Sequence, residues 1–82
     1  MGLSELMAAK KQVGTKQTLR ALAKDAVKAV YIAGDADRRV VAPVIEACQA
    51  KSIPTYEVET KAVLGKACGI DVGTAVVALL KE

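Results

Sequence analysis

The residues of this 82-residue chain that could carry out chemistry are few. Histidine is absent, and Cys48 and Cys68 are the only cysteines. Two thiols without an imidazole cannot complete a tetrahedral zinc site unless carboxylates or a second chain contribute, so they read as buried, inert thiols. No serine or cysteine lies in a nucleophile motif, no imidazole is available as a general base, and no phosphate-loop fingerprint occurs. Asp35 and Asp37 are the nearest approach to a carboxylate pair. Their spacing after a strand could hold Mg²⁺, but a loop followed by a helix cap explains them more simply. Gly69-Ile70-Asp71-Val72-Gly73 superficially suggests a phosphate-binding turn, yet it precedes a strand and so lacks the helix dipole such turns use. These residues point away from an enzyme, with neither cofactor nor metal expected.

The remaining chemical signal is positive charge. Lys10, Lys11, Lys16, Arg20, Lys24 and Lys28 are opposed only by Asp25 between positions 10 and 28, whereas residues 29–82 hold six basic and seven acidic side chains. A basic segment of this kind suits a nucleic-acid backbone or an acidic membrane, although a solvated helix face also accounts for it. Tyr31 and Tyr56 are the only aromatics, too few for a platform on which splayed single-stranded bases stack. Any RNA bound must therefore meet helices and loops. A helix reads duplex RNA base edges only where the duplex is bent and its major groove opened.

The elements that position these residues follow from periodicity. Ser4 caps a short helix from Glu5 to about Lys10, and Gln12-Val13 is extended. Thr15 caps a helix whose Leu19, Leu22, Ala23 and Ala26 face inward, leaving Lys16, Gln17, Arg20 and Lys24 outward. Ala29–Ala33 is an apolar run expected as a strand covered on both faces. Asp37 caps a helix with an inward stripe of Val40, Val41, Val44, Ile45 and Cys48, and Pro43 predicts an irregular first turn. Thr55–Val58 alternates like an edge strand, Thr60 caps a short helix ending at Gly69, and Thr74–Leu80 is the most apolar strand, expected at the centre. The order predicts an α/β fold, a three-layer α-β-α sandwich with a small mixed four-stranded sheet. With 52% apolar and 26% charged residues the chain is globular, and its length fits one domain over 1–82. Its longest apolar runs fall far short of the ~20 residues that span a bilayer, and its N-terminal stretch lacks a cleavage signature, so a cytoplasmic protein is expected.

Gly14-Thr15-Lys16-Gln17-Thr18-Leu19-Arg20 and Leu64-Gly65-Lys66-Ala67-Cys68-Gly69-Ile70-Asp71-Val72 stand about fifty residues apart, with the strand-helix pattern between them. Together they resemble the kink-turn-binding ribosomal protein superfamily of archaeal and eukaryotic large-subunit proteins, box C/D ribonucleoprotein components and small bacterial homologues. The likeness covers nearly the whole chain and is nearest to the bacterial, ribosome-associated branch. The family pattern is Gly-Thr-Asn-Glu with a basic residue three positions on; here Lys16 and Gln17 replace Asn and Glu, and Arg20 supplies the base. The resemblance implies that these side chains enter the opened major groove at tandem sheared G·A pairs. Lys16 can donate to guanine O6 and N7, Gln17 can donate and accept, and Arg20 can reach base or phosphate. The helix N–H groups after Gly14, around Thr15 to Gln17, suit a phosphate, and Lys24 and Lys28 suit the backbone. The second motif implies a loop, Ile70, Asp71, Val72 and Gly73, that packs on the splayed nucleotides of the kink. Read without the family, Ile70 and Val72 point inward as strand lead-in residues. The implied partner is structured RNA with a kink-turn, ribosomal or riboswitch-like, on the ribosome or apart from it, bound by a monomer and with no membrane. The competing function is a protein adapter or docking domain on the same fold, which predicts an exposed apolar patch.

Overall fold

The structure, a computed structural model, describes residues 10–81. The expected Glu5–Lys10 helix lies outside the described residues apart from Lys10 itself. Among the described residues four strands, β1 (Lys11–Val13), β2 (Val27–Ala33), β3 (Thr55–Val58) and β4 (Val76–Leu80), alternate with three helices, α1 (Thr15–Ala23), α2 (Arg38–Ala50) and α3 (Lys61–Ala67). They form one mixed sheet in the order β1-β4-β2-β3, with β4 antiparallel to both neighbours and β2 parallel to β3. The α/β fold with a small mixed sheet is as expected.

Every residue of Val76–Leu79 is buried, and in β2 only Lys28 is exposed. Consecutive buried positions require cover on both faces of the sheet, because successive side chains point to opposite sides. α1 and α2 pack against each other, α1 also meeting β4, β1 and β2, while α3 packs on β2 and β3. The edge strand β3 exposes its first three residues. Tyr31 and Tyr56 pair across β2 and β3 with ring centroids 5.4 Å apart, Tyr31 being buried.

Helix boundaries depart from the periodicity in instructive ways. α1 stops at Ala23, so Ala26 is outside it, Ala23 is exposed, and Thr18, Ala21 and Leu22 form the buried face. All three helices end in the same motif. The amide of the second residue past the cap donates five residues back, Ala26 to Ala21 (3.0 Å), Ile53 to Cys48 (2.8 Å) and Ile70 to Gly65 (3.1 Å). The residue before each donor is left-handed: Asp25 at φ 55°, Ser52 at φ 56° and Gly69 at φ 80°. Only the third is the expected glycine. α2 begins at Arg38 under the Asp37 cap, whose carboxylate accepts from Arg39 N at 2.9 Å, and it runs unbroken through Pro43. The proline removes the helical donor to the Arg39 carbonyl, but both residues are exposed, so water can replace it. Val40 is 41% exposed and stands outside the inward stripe of Val41, Val44 and Cys48. Thr60 caps α3 by accepting from Val63 N at 3.1 Å, as expected.

Candidate nucleic-acid interface

Gly14 has φ 111° and ψ 155°, a backbone region open essentially to glycine alone. This conformation turns the chain sharply from β1 into α1. The Gly14 carbonyl accepts from Thr18 N at 3.0 Å, and no side chain caps the helix. Thr15 is therefore the first helical residue and not the cap. The consequence is a helix start with no acidic residue in its first turn and, among the described residues, no side chain hydrogen-bonded to its amides. Lys16 and Gln17 are exposed there, with Arg20 exposed one turn later. Gln17, Arg20 and Lys24 recur along one side of α1 and line an open groove of about 270 Å³ floored by Ala21, Ala26 and Leu80.

The second motif is held to the same end of the sheet. Gly65 lies buried in α3 where a Cβ would overlap the Val72 carbonyl, so the absence of a side chain lets the loop lie directly on the helix. Thr74 N donates to Lys61 O at 3.2 Å, fixing the end of that loop to the start of α3, and Lys61 N donates to Asp35 Oδ1 at 2.7 Å, tying the start of α3 to the turn after β2. Both aspartates after β2 are thus engaged with backbone amides, as the loop-and-cap reading expects. The first motif is joined to the strand that follows the second: the Val76 carbonyl, at the start of β4, accepts from Gly14 N at 2.9 Å and from the Thr74 hydroxyl at 3.1 Å.

Ile70 and Val72 do not behave as a pair. Val72 is 70% exposed, whereas Ile70 is half-buried and packed against the core. Asp71 and Gly73 are exposed. With Lys66 and Ala62 the loop encloses a concavity of about 290 Å³. Lys66, and Lys61 against Gly73, are basic neighbours of the loop that sequence reasoning passed over, although both sit in or beside the second motif. Arg38 and Arg39, exposed at the start of α2, follow the strand end on this same side of the sheet. Lys24 caps α1 at its far end, about 13 Å from Thr15 at the helical rise. Lys28 is in β2 next to Val27, which pairs with Leu80, and so belongs to the opposite end of the sheet.

Cys48 and Cys68 are free and buried, and burial pushes both thiols up. Among the described residues no group of three or more Cys, Asp or Glu could hold a metal ion, and no helix is long and apolar enough to cross a membrane.

A mixed four-stranded sheet under helices, with a bare helix start and a glycine-seated loop joined at one strand end, defines a class of small α/β domains. Residues 3–82 match the model of the Ribosomal protein L7Ae/L30e/S12e/Gadd45 family, and the chain belongs to that family. An RNA-binding protein of Halalkalibacterium halodurans is 54% identical over 69 residues, covering 84% of each chain. The RNA-binding protein YbxF of Geobacillus stearothermophilus is 42% identical over 76 residues, covering 93% of each. Among solved structures, the Giardia lamblia 15.5kD RNA binding protein superposes with a TM-score of 0.87 at 28% identity, over 98% of this chain and 68% of its own. A Bacillus halodurans protein of unknown function superposes at 0.88 with 24% identity, covering 96% of this chain and 83% of that one, and shows the shared fold.

Proposed function

We propose that this chain is a non-catalytic, cytoplasmic RNA-binding protein, one domain over 1–82, that recognises kink-turns in ribosomal or riboswitch-like RNA. The observation that carries the reading is the bond from Gly14 N to the Val76 carbonyl, which holds the start of α1 against the start of β4, the strand that the 70–73 loop leads into, and so presents two unlike surfaces at one end of the sheet. One is polar and cationic, suited to base edges and phosphates; the other is tipped by exposed Val72, suited to an unstacked nucleotide. Lys16 and Gln17 meet the guanine edges of the G·A pairs, Arg20 a base or phosphate, and the uncapped amides of α1 a phosphate. Lys61 and Lys66 neutralise backbone beside the loop. A straight duplex cannot meet both surfaces at once, and that difference in affinity selects the kink. The names of the relatives support RNA as the partner.

Gel shifts with a kink-turn RNA, and with the same duplex whose G·A pairs are made Watson–Crick, test the proposal. Tight binding to the first and weak, salt-sensitive binding to the second is the expected result. Equal affinity for both removes kink-turn recognition.

A further inference from the structure

The lysines that are not at the motif end gather at the other. Lys10 precedes β1, and its carbonyl accepts from Leu80 N at 2.9 Å; Lys81 N donates to Ala26 O at 2.8 Å. Lys24 caps α1 and Lys51 caps α2, with Lys51 Nζ 2.7 Å from Asp25 Oδ1. Lys28 stands beside the β2–β4 bulge, exposed. Five lysines from five stretches of chain, Lys10, Lys24, Lys28, Lys51 and Lys81, thus stand at the pole where β1 and β2 begin and β4 ends, with Asp25 the acidic side chain held there among the described residues. A structural explanation exists, since α1 and α2 both end here and cations favour helix C-termini. Among the described residues two helix ends and Asp25 together amount to about two negative charges, which five lysines exceed. The groove lined by Gln17, Arg20 and Lys24 runs from the motif end to Leu80, beside Lys81, and so joins the two ends along α1.

We propose that this pole is a second RNA contact, a phosphate-backbone clamp on the duplex arm that leaves the kink along α1. It rests on the RNA reading above and extends it: the motif end selects the kink, and the far pole measures the length of the arm. A partner of this chemistry is a continuous duplex, because Arg20 and Lys24 line the groove along α1 and the lysines of the pole stand where that groove ends, with no exposed aromatic among them.

The test compares two kink-turn RNAs, one with the arm cut short beside the G·A pairs and one with that arm extended by a helical turn. The wild-type protein should bind the longer arm more tightly and with a steeper dependence of log K on log salt. The Lys10→Gln, Lys81→Gln variant should lose about two from that slope on the long arm, about one per lysine, and bind the short-armed RNA as the wild type does. Melting curves check that it folds, and the two single variants, each expected to lose about one, serve if it does not. Wild-type binding to the short arm with no gain on the long one overturns the clamp while leaving kink-turn recognition standing. No binding to either RNA removes the kink-turn reading and the clamp with it. An unchanged slope in the variant reduces the lysines to helix-end neutralisers. Binding of phosphatidylserine vesicles by the wild type, lost in the variant without any change on RNA, assigns the pole to a membrane and also overturns the clamp.

Discussion

Gln17 and Lys24 share one groove but differ in what a duplex offers them. Gln17 is at the uncapped start of α1 with an amide that can read a base edge, whereas Lys24, two turns on, carries only charge. Gln17→Ala is expected to cost roughly 1–3 kcal/mol on the G·A-containing RNA and little on the Watson–Crick control, while Lys24→Ala weakens both alike. Titrations on the two RNAs check this, and the reverse pattern would mean that the helix presents its other end. The loop separates similarly. If exposed Val72 buries roughly 40–60 Å² against an unstacked nucleotide, it contributes about 1–1.5 kcal/mol. Val72→Ser should then reduce protein-induced bending by about 5- to 12-fold in the bending equilibrium, read by end-to-end fluorescence transfer, with stability unchanged. Ile70→Ser should instead lower stability by about 1–2 kcal/mol in urea, because that side chain packs on the core.

The helix ends set where these residues stand. The left-handed residue after each cap lets the chain fold back, and at α1 and α2 it is Asp25 and Ser52 that take this conformation. A non-glycine residue there costs about 1–2 kcal/mol, against about 0.5–1 kcal/mol of extra chain entropy that glycine loses on folding. Ser52→Gly is therefore expected to stabilise the protein by about 0.5–1 kcal/mol, measured as a shift in the urea midpoint at constant slope. A destabilised variant would show that the Ser52 side chain contributes more than its backbone strain. The same feature explains why the end of α1 was illegible in the sequence. Ala26 continues the apolar spacing of Leu19 and Leu22, and nothing short of the fold says that Asp25 turns left-handed beneath it. The end of α3 carried its glycine, and Gly69 was read within two residues of the last helical position.

At the scale of the molecule, charge ties α1 to α2. Asp25 is held below its ordinary value, first by the hydrogen bond from Lys51 and then by that ammonium's charge, with Lys81 adding to it. A lowered carboxylate pKa contributes stability that is present above the unfolded value of 3.8 and is lost as pH falls through the folded one. The pair is exposed, so the effect on stability is small, and it is best seen directly. The Asp25 carboxyl should titrate below 3.8 by NMR and move up toward it in Lys51→Gln. The thiols act at the other limit. Burial raises Cys48 and Cys68 above 9.0, so the unfolded chain releases their protons first and stability falls as pH rises beyond that value. Urea midpoints across pH should be level from about pH 5 to 8 and decline on the alkaline side, with both thiols unreactive to a thiol reagent until the protein unfolds.

Local pattern was enough for the elements themselves. The apolar runs at Ala29–Ala33 and Thr74–Leu80 specified two covered strands, Asp37 and Thr60 specified two helix starts, and β3 showed its edge position in its polar alternation. Each of these rests on a residue's own preference or on the spacing of near neighbours, which the sequence states outright. What the sequence left open was decided by contacts across the chain. Thr15 yielded the cap to Gly14 because Gly14 must also reach the Val76 carbonyl, and Pro43 was carried inside α2 because its missing bond faces outward. Ile70 turned to the core while Val72 turned out, since Gly65 brings the loop down onto α3. Lys28, adjacent in sequence to the basic helix, was carried to the opposite pole because β2 starts two residues before its apolar run, where it pairs with the end of β4. Sequence proximity keeps like charges together only within one element, and the direction of the next strand is set by the sheet it joins.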